Sequence, residues 1–148
     1  MRAHGKRLVL TNGCFDLLHS GHVRYLEEAR ALGDALAVAI NSDASVRRLK
    51  GAGRPINTAE DRARVIAALQ AVDWVVVFEE DTAAELVAEV QPAVYAKGGD
   101  YDADPDSERF PVEGHVARSY GGEVRIIPYV EGKSTSGTLA RLRGERPS

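Results

Sequence analysis

The stretch Leu8-Val9-Leu10-Thr11-Asn12-Gly13-Cys14-Phe15-Asp16-Leu17-Leu18-His19-Ser20-Gly21-His22 decides the fold class. It reads as a short buried strand, a glycine-containing loop and a helix start in immediate succession. Leu8 to Leu10 form an apolar run that ends at the turn residues Asn12 and Gly13. Val23, Leu26, Ala29 and Leu32 then recur at helical spacing, and Gly33 supplies a C-terminal stop. Ala35 to Ile40 is a second uninterrupted apolar run. Asn41, Ser42 and Asp43 follow it as turn and cap residues before a short helix to about Lys50. This closes a βαβα unit.

Working outward, Gly51, Gly53 and Pro55 mark a loop, and Thr58 with Asp61 forms a variant capping box for a helix through Val65, Ile66 and Leu69. Trp74 to Phe78 is the next strand, with Trp74, Val75, Val76 and Val77 assigned to the core. Thr82 and Glu85 make a cleaner capping box for a helix through Leu86 and Val90 that Pro92 ends. Val94 to Ala96 is a strand, 97–110 an irregular polar loop, His115 to Tyr120 a short helix, Val124 to Ile127 a strand and Thr138 to Leu142 a final helix. Apolar strands alternating with amphipathic helices predict an α/β, Rossmann-like, doubly wound parallel sheet of about five strands in a single domain. Its core spans about residues 8 to 142 of 1–148. Ligands of such sheets bind beyond the strand C-termini. That rule brings Asn12 to His22, Asn41 to Asp43 and Lys97 to Asp100 to one edge.

Composition narrows the chemistry. With 148 residues, 44% hydrophobic and 28% charged, the chain can bury one core and has no room for a second catalytic domain. A net charge of -3, from 19 Lys and Arg against 22 Asp and Glu, argues against nucleic acid or an anionic membrane as main partner. The lone cysteine, Cys14, permits no internal disulfide. No apolar run approaches the roughly 20 residues of a membrane span, and the basic stretch Met1 to Arg7 leads into no signal-peptide core. The expected location is the cytoplasm.

His19-Ser20-Gly21-His22 opens a helix directly after the first strand and its loop, so imidazoles and first-turn N–H groups converge on one point that attracts phosphate. Gly13 and Gly21 permit close approach of an anion to the backbone. A histidine pair of this spacing also serves as plain capping or packing. Zinc fails on spacing, since His4 and His115 supply no third ligand near the pair. The Gly-x-x-x-x-Gly-Lys-Ser loop and the Gly-x-Gly-x-x-Gly fingerprint are absent. Cys14 as a nucleophile lacks an orienting acid and an oxyanion arrangement, and reads better as a small residue in a tight loop. The acidic run Asp102, Asp104, Asp106, Glu108 and Glu113 lacks the glycine of a calcium loop and contains Pro105 and Pro111. It is expected to be a solvated loop.

Together, Thr11-Asn12-Gly13-Cys14-Phe15-Asp16 and His19-Ser20-Gly21-His22 resemble the Gly-x-Phe-Asp and His-x-Gly-His signature of the cytidylyltransferase-like nucleotidyltransferase superfamily. Downstream, Arg48-Leu49-Lys50-Gly51, Arg54-Pro55, Glu60-Asp61-Arg62, Lys97-Gly98-Gly99-Asp100-Tyr101 and Glu131-Gly132-Lys133-Ser134-Thr135-Ser136 resemble the heptose 1-phosphate adenylyltransferase branch. The resemblance spans roughly residues 8 to 142. It implies transfer of AMP from ATP, with Mg2+, to a sugar 1-phosphate such as D-glycero-β-D-manno-heptose 1-phosphate, giving ADP-heptose and pyrophosphate. It also implies a homodimer.

The resemblance further implies roles. His19 and His22 would serve the α-phosphate and the bridging oxygen, and Asn12, Gly13, Cys14, Phe15 and Gly21 would contact the nucleotide. Asp16 would hold the loop or help orient magnesium. Lys50 would bridge the phosphates of both substrates, with Asn41, Asp43 and Arg62 on the acceptor side. Lys97, Gly98 and Asp100 would meet the nucleoside, Asp100 at the ribose hydroxyls. Ser134, Thr135 and Ser136 would bind the β- and γ-phosphates from the last helix, although Gly137 departs from the usual pattern there. Two rivals remain. A cytidylyltransferase for glycerol 3-phosphate or another alcohol phosphate would carry Arg-Thr where this chain has Tyr129-Val130. A non-catalytic nucleotide-binding module would have no need for this whole set.

Overall fold

The apolar runs after residues 7 and 34 lie in strands buried on both faces, the condition under which a parallel sheet persists. A computed structural model describes residues 5–99 and 101–128. In chain order the elements are β1 (Leu8–Gly13), α1 (Ser20–Arg30), β2 (Ala35–Asn41), α2 (Asp43–Lys50), α3 (Ala59–Ala67), β3 (Trp74–Phe78), α4 (Ala84–Val90), β4 (Val94–Gly98), α5 (Val112–Ser119) and β5 (Glu123–Ile127). The strands form one five-stranded sheet in the order β3-β2-β1-β4-β5, with every pairing parallel.

Alternation within each strand builds two cores. Val9, Leu36, Val38 and Ile40 point to the face covered by Tyr25, Leu26 and Ala29 of α1 and Ile66 of α3. Leu8, Leu10, Ala35, Ala37 and Ala39 point to the other, under Ala83 and Val87 near α4 and Ala117 of α5. Fully burying such a side chain contributes about 1.5–3 kcal/mol. The sheet is doubly wound, as the sequence predicts. β1 and β4 run further than their apolar cores, because Thr11, Asn12 and Gly13 continue the ladder against Val38, Ala39 and Ile40, and Lys97 and Gly98 continue it against Ile126 and Ile127.

Three details differ from expectation. Trp74, Val76 and Val77 are 51%, 40% and 43% exposed rather than core. β3 is an edge strand with one neighbour, and only Phe78 is buried on it. Helix α4 has no side-chain cap: its N-cap is Ala83, and Thr82 Oγ1 reaches only the Ala84 N–H at 3.4 Å. The Ala83 amide donates instead to the buried Glu113 carboxylate of α5 at 3.1 Å, so a tertiary partner replaces the local box. Helix α5 begins at Val112, ahead of the predicted His115, with Pro111 at its N-cap. The acidic loop before it turns on its own side chains, Asp102 and Asp104 each accepting the N–H two residues on. The predicted helix from Thr138 to Leu142 lies outside the described residues.

The turn into β2 depends on Gly33. A Cβ there would stand 2.6 Å from the Arg7 carbonyl oxygen, which also accepts the Asp34 N–H. Gly33→Ala is therefore expected to cost about 1–3 kcal/mol of stability, as overpacking does. Urea unfolding should show a lower midpoint at unchanged slope.

Candidate active site

β1 lies between β2 and β4. The chain leaving β1 passes through α1 to β2 on one side, whereas β4 leads on to β5 on the other. Adjacent strand ends whose connections diverge leave a crevice, and this switch point is where such sheets bind ligands. Helix α1 starts there.

Its first turn is closed by the two histidines. His19, the N-cap residue, accepts the Gly21 N–H on Nδ1 at 3.1 Å, and His22 Nδ1 accepts the His19 N–H at 3.3 Å. This is the reciprocal logic of a capping box, built with imidazoles in place of a hydroxyl and a carboxylate. Because each Nδ1 accepts an N–H, the proton of each neutral ring belongs on Nε2. The rings stack with centroids 4.0 Å apart. Burial, and secondarily the neighbouring His19, pushes the His22 pKa down to about 4. His22 is thus a neutral hydrogen-bond donor across the physiological range.

The loop before the helix is compressed under these rings. Phe15 sits at φ 48°, meets the edge of His22 at 5.5 Å and packs on Gly13, where a Cβ would lie 2.9 Å from the Phe15 ring. Asp16 is 2% exposed, and its carboxylate accepts from the Ile56 N–H (2.7 Å), the Asn57 N–H (2.8 Å) and Arg54 Nε (3.0 Å). Of the two expected roles for Asp16, loop anchor and magnesium ligand, this geometry carries the first. Burial raises its pKa, but the Asn57 and Ile56 amides and Arg54 outweigh that and hold it below the ordinary carboxyl value. Among the described residues no cluster of three or more His, Cys, Asp or Glu is able to hold a metal.

Several expected site residues turn inward. Asn12 accepts from the Tyr95 hydroxyl and donates to Glu113 at 3.4 Å, in a buried network under β1. Asn41 donates to Ser45 Oγ at 3.0 Å and accepts from the Cys14 thiol at 3.7 Å. Burial pushes the Cys14 thiol up, and Lys50, Arg62, Arg54 and Lys97 oppose that shift without reversing it. The thiol is therefore protonated at neutral pH. Asp43 accepts the Ala59 N–H at 2.8 Å, so it serves the start of α3, while Ser42 caps α2. Arg62, expected to meet substrate, is buried beneath the loops and donates to protein groups.

Lys50, Arg54 and Lys97 all act on the Cys14 thiol electrostatically, so cationic side chains gather at this end of the sheet, Arg54 in a pair with Asp16. Lys97 also lies over the Tyr101 ring, 5.1 Å from its centroid. Gly98 ends β4, and Gly99, at φ 112°, turns the chain there. Asp100, Ser134, Thr135 and Ser136 lie outside the described residues. Sequence reasoning missed Asn57, Tyr95 and Glu113 as supports, since their partners are 41, 83 and 101 positions away and leave no local signal. A cleft of about 730 Å3 elsewhere, against β3 and α4, is lined by Val76, Val77, Glu79, Glu85 and Glu89 among others. It has no basic residue in its lining and does not suit an anion.

Comparison with known proteins agrees with this geometry. The model of the cytidylyltransferase-like family matches residues 10–143. The bifunctional protein HldE of Ectopseudomonas mendocina is 55% identical over 144 residues, covering 97% of this chain and 29% of that protein. HldE of Pelobacter propionicus is 53% identical over 141 residues, with 95% and 28% covered. The chain thus spans under a third of the length of these relatives. Among solved structures, the lipopolysaccharide core biosynthesis protein from Thermoplasma volcanium aligns with TM-score 0.68 at 29% identity, over 85% of this chain and 98% of that one. The pantothenate synthetase of Thermus thermophilus, at 14% identity and TM-score 0.52, shares the fold.

Two titrations check the geometry. The His22 imidazole should titrate by NMR near pH 4, and a midpoint at the ordinary value near 6.5 would contradict its burial. Its folded pKa lies below the unfolded one, so this histidine lowers stability as pH falls from about 6.5 to 4. Asp16, also depressed, stabilises above the unfolded carboxyl pKa of about 3.9 and loses that contribution as pH drops through its lower folded value. The stability gap between wild type and Asp16→Asn should accordingly be widest near neutrality and close in acid.

Proposed function

The chain belongs to the cytidylyltransferase-like family, and we propose that it transfers AMP from ATP to a sugar 1-phosphate, with D-glycero-β-D-manno-heptose 1-phosphate as the favoured acceptor. The observation that carries the reading is the reciprocally capped histidine pair at the switch point, in a cationic surrounding. The resemblance of Lys97-Gly98-Gly99-Asp100 and of Ser134 to Ser136 to the adenylyltransferase branch supports adenine over cytosine. A relative in lipopolysaccharide core biosynthesis supports a sugar acceptor.

In this reaction a phosphate oxygen of the acceptor attacks the α-phosphorus. The new O–P bond forms as the bond to the bridging oxygen breaks, and pyrophosphate leaves with that bonding pair. No covalent enzyme intermediate is required, so the protein contributes positioning and charge stabilisation. The Nε2–H groups of His19 and His22 donate to the α-phosphate and the bridging oxygen as charge develops there. The His22 imidazole does this without titrating in the working range. Lys50 lies at the end of α2, at the edge where both substrates' phosphates would meet, and Lys97 flanks the nucleotide side. The first-turn N–H groups of α1 add to the field. Magnesium, expected with ATP, would be held chiefly by the nucleotide's phosphates and enters no step here.

Pyrophosphate release across ATP, CTP, GTP and UTP with heptose 1-phosphate, other sugar phosphates and glycerol 3-phosphate tests the reading. ATP with the heptose phosphate should turn over fastest. Preference for CTP would overturn the adenylyl assignment, and tight ATP binding without turnover on any pair would make the chain a binding module. His19→Ala or His22→Ala should lower kcat about 100- to 1,000-fold, the usual loss for one such donor, with an unchanged circular dichroism spectrum.

A further inference from the structure

We propose that Arg62 is a positioning residue that couples the nucleotide and acceptor sides of the site, and that it touches neither substrate. The inference rests on the reading above for what the site does, but its geometry stands apart from that reading. Arg62 is 2% exposed. Its Nε donates to the Asn57 carbonyl at 3.0 Å, one terminal nitrogen donates to the carbonyls of Cys14 and Asn41, both at 2.8 Å, and the other to Asp43 Oδ1 at 2.9 Å.

These partners belong to three separate segments. Cys14 lies on the loop leaving β1, Asn41 ends β2 with Asp43 opening α2, and Asn57 lies on the loop before α3. One planar fork therefore fixes the loop beneath the histidines against the start of α2, which leads to Lys50. The Asn57 loop is held a second time, by Asp16, so it lies between a carboxylate from the loop after β1 and a guanidinium from α3. Four of its five N–H donors are spent on three carbonyls and a carboxylate, and at 2% exposure the fifth stays inside the protein, which closes the guanidinium to a substrate phosphate. Lysine keeps the charge but loses the flat array of donors that reaches partners in different directions.

Arg62→Lys, with Arg62→Gln as a second variant that keeps an N–H donor, separates the possibilities once circular dichroism shows each to be folded. The readouts are kcat and KM for both substrates, ATP affinity by calorimetry, and hydrogen exchange of the substrate-free protein. Positioning predicts that kcat falls roughly 100-fold and that KM rises for both substrates together. Amide exchange should speed up both at 13–17 and at 41–43. A rise in acceptor KM alone, with ATP affinity and exchange unchanged, would mean that Arg62 contacts the acceptor and would overturn the proposal. So would wild-type kinetics in a folded variant.

In the wild-type protein the Arg62 Nε–H resonance gives an answer that needs no variant. It should be protected from exchange and should hold its position when the acceptor phosphate is added, whereas a marked shift on addition would overturn the proposal. If the wild-type protein turns over no substrate pair, the proposed function fails, while the exchange and ATP-affinity comparisons still decide the role of Arg62.

Discussion

A helix start leaves backbone N–H groups without partners, and in α1 the pair that settles this is also the pair with chemistry to offer. Each imidazole gives its Nδ1 lone pair to a first-turn amide, so ring orientation and tautomer follow from helix capping. A serine and glutamate box would cap as well, but would leave a hydroxyl and an anion facing the crevice. The rest of the site adapts to this choice. Phe15 takes a left-handed backbone conformation with its ring against His22, and the space a Cβ at Gly13 would need is filled by the Phe15 ring. Such conformations cost on the order of 1–3 kcal/mol and persist only where the surroundings over-determine them.

Those surroundings are buried charges. Asp16 with Arg54 is drawn out of water on both sides, and Arg62 is buried against an Asp43 whose side chain stays 40% exposed; burying charge in this way stabilises little in net terms because desolvation offsets attraction. Removing one partner is another matter, costing about 3–5 kcal/mol by stranding a charge. The surface pairs Arg7–Glu123, Arg48–Asp81 and Arg64–Glu60 are half or more exposed on at least one side, and such pairs contribute at most about 1 kcal/mol. The buried Asp16–Arg54 pair and the half-buried Arg62–Asp43 pair therefore do less for the overall fold than for the uniqueness of the loops at the strand ends. Both hold the segment that precedes α3.

Much of this was legible in the sequence, for identifiable reasons. Leu8 to Leu10 and Ala35 to Ile40 are continuous apolar runs because both faces of those strands are covered, and a parallel sheet follows from that alone. His19 and His22 sit at a spacing that only a helix start makes adjacent. What escaped is what depends on distant partners. Arg62 looks like a surface arginine on an amphipathic helix, and nothing near it in sequence tells that the carbonyls of Cys14 and Asn41 lie 48 and 21 residues away on its fork. The pattern Thr82 to Glu85 satisfies the local rule for a cap, yet Glu113 arrives from α5 and takes the Ala83 amide. Trp74 to Val77 reads as core because hydrophobicity reports burial only when the position of a strand in its sheet is known. β3 comes third in the chain but lies at the margin.

That margin gives the molecule a built-in optical property. Trp74 is the only tryptophan of the chain, half exposed on β3. In register it stands level with Ala37 and, through β2, with Leu10, two strands from β1. Strand spacing and rise put it about 10 Å across the sheet and about 10 Å back along it from Gly13, where the crevice opens. An indole at that remove is insulated from whatever occupies the strand ends and sensitive to whatever lies against the sheet's flank. Its emission colour is a gauge of how wet that flank is, and quenching by a soluble agent such as acrylamide measures the same thing independently of the chemistry at the other end of the strands.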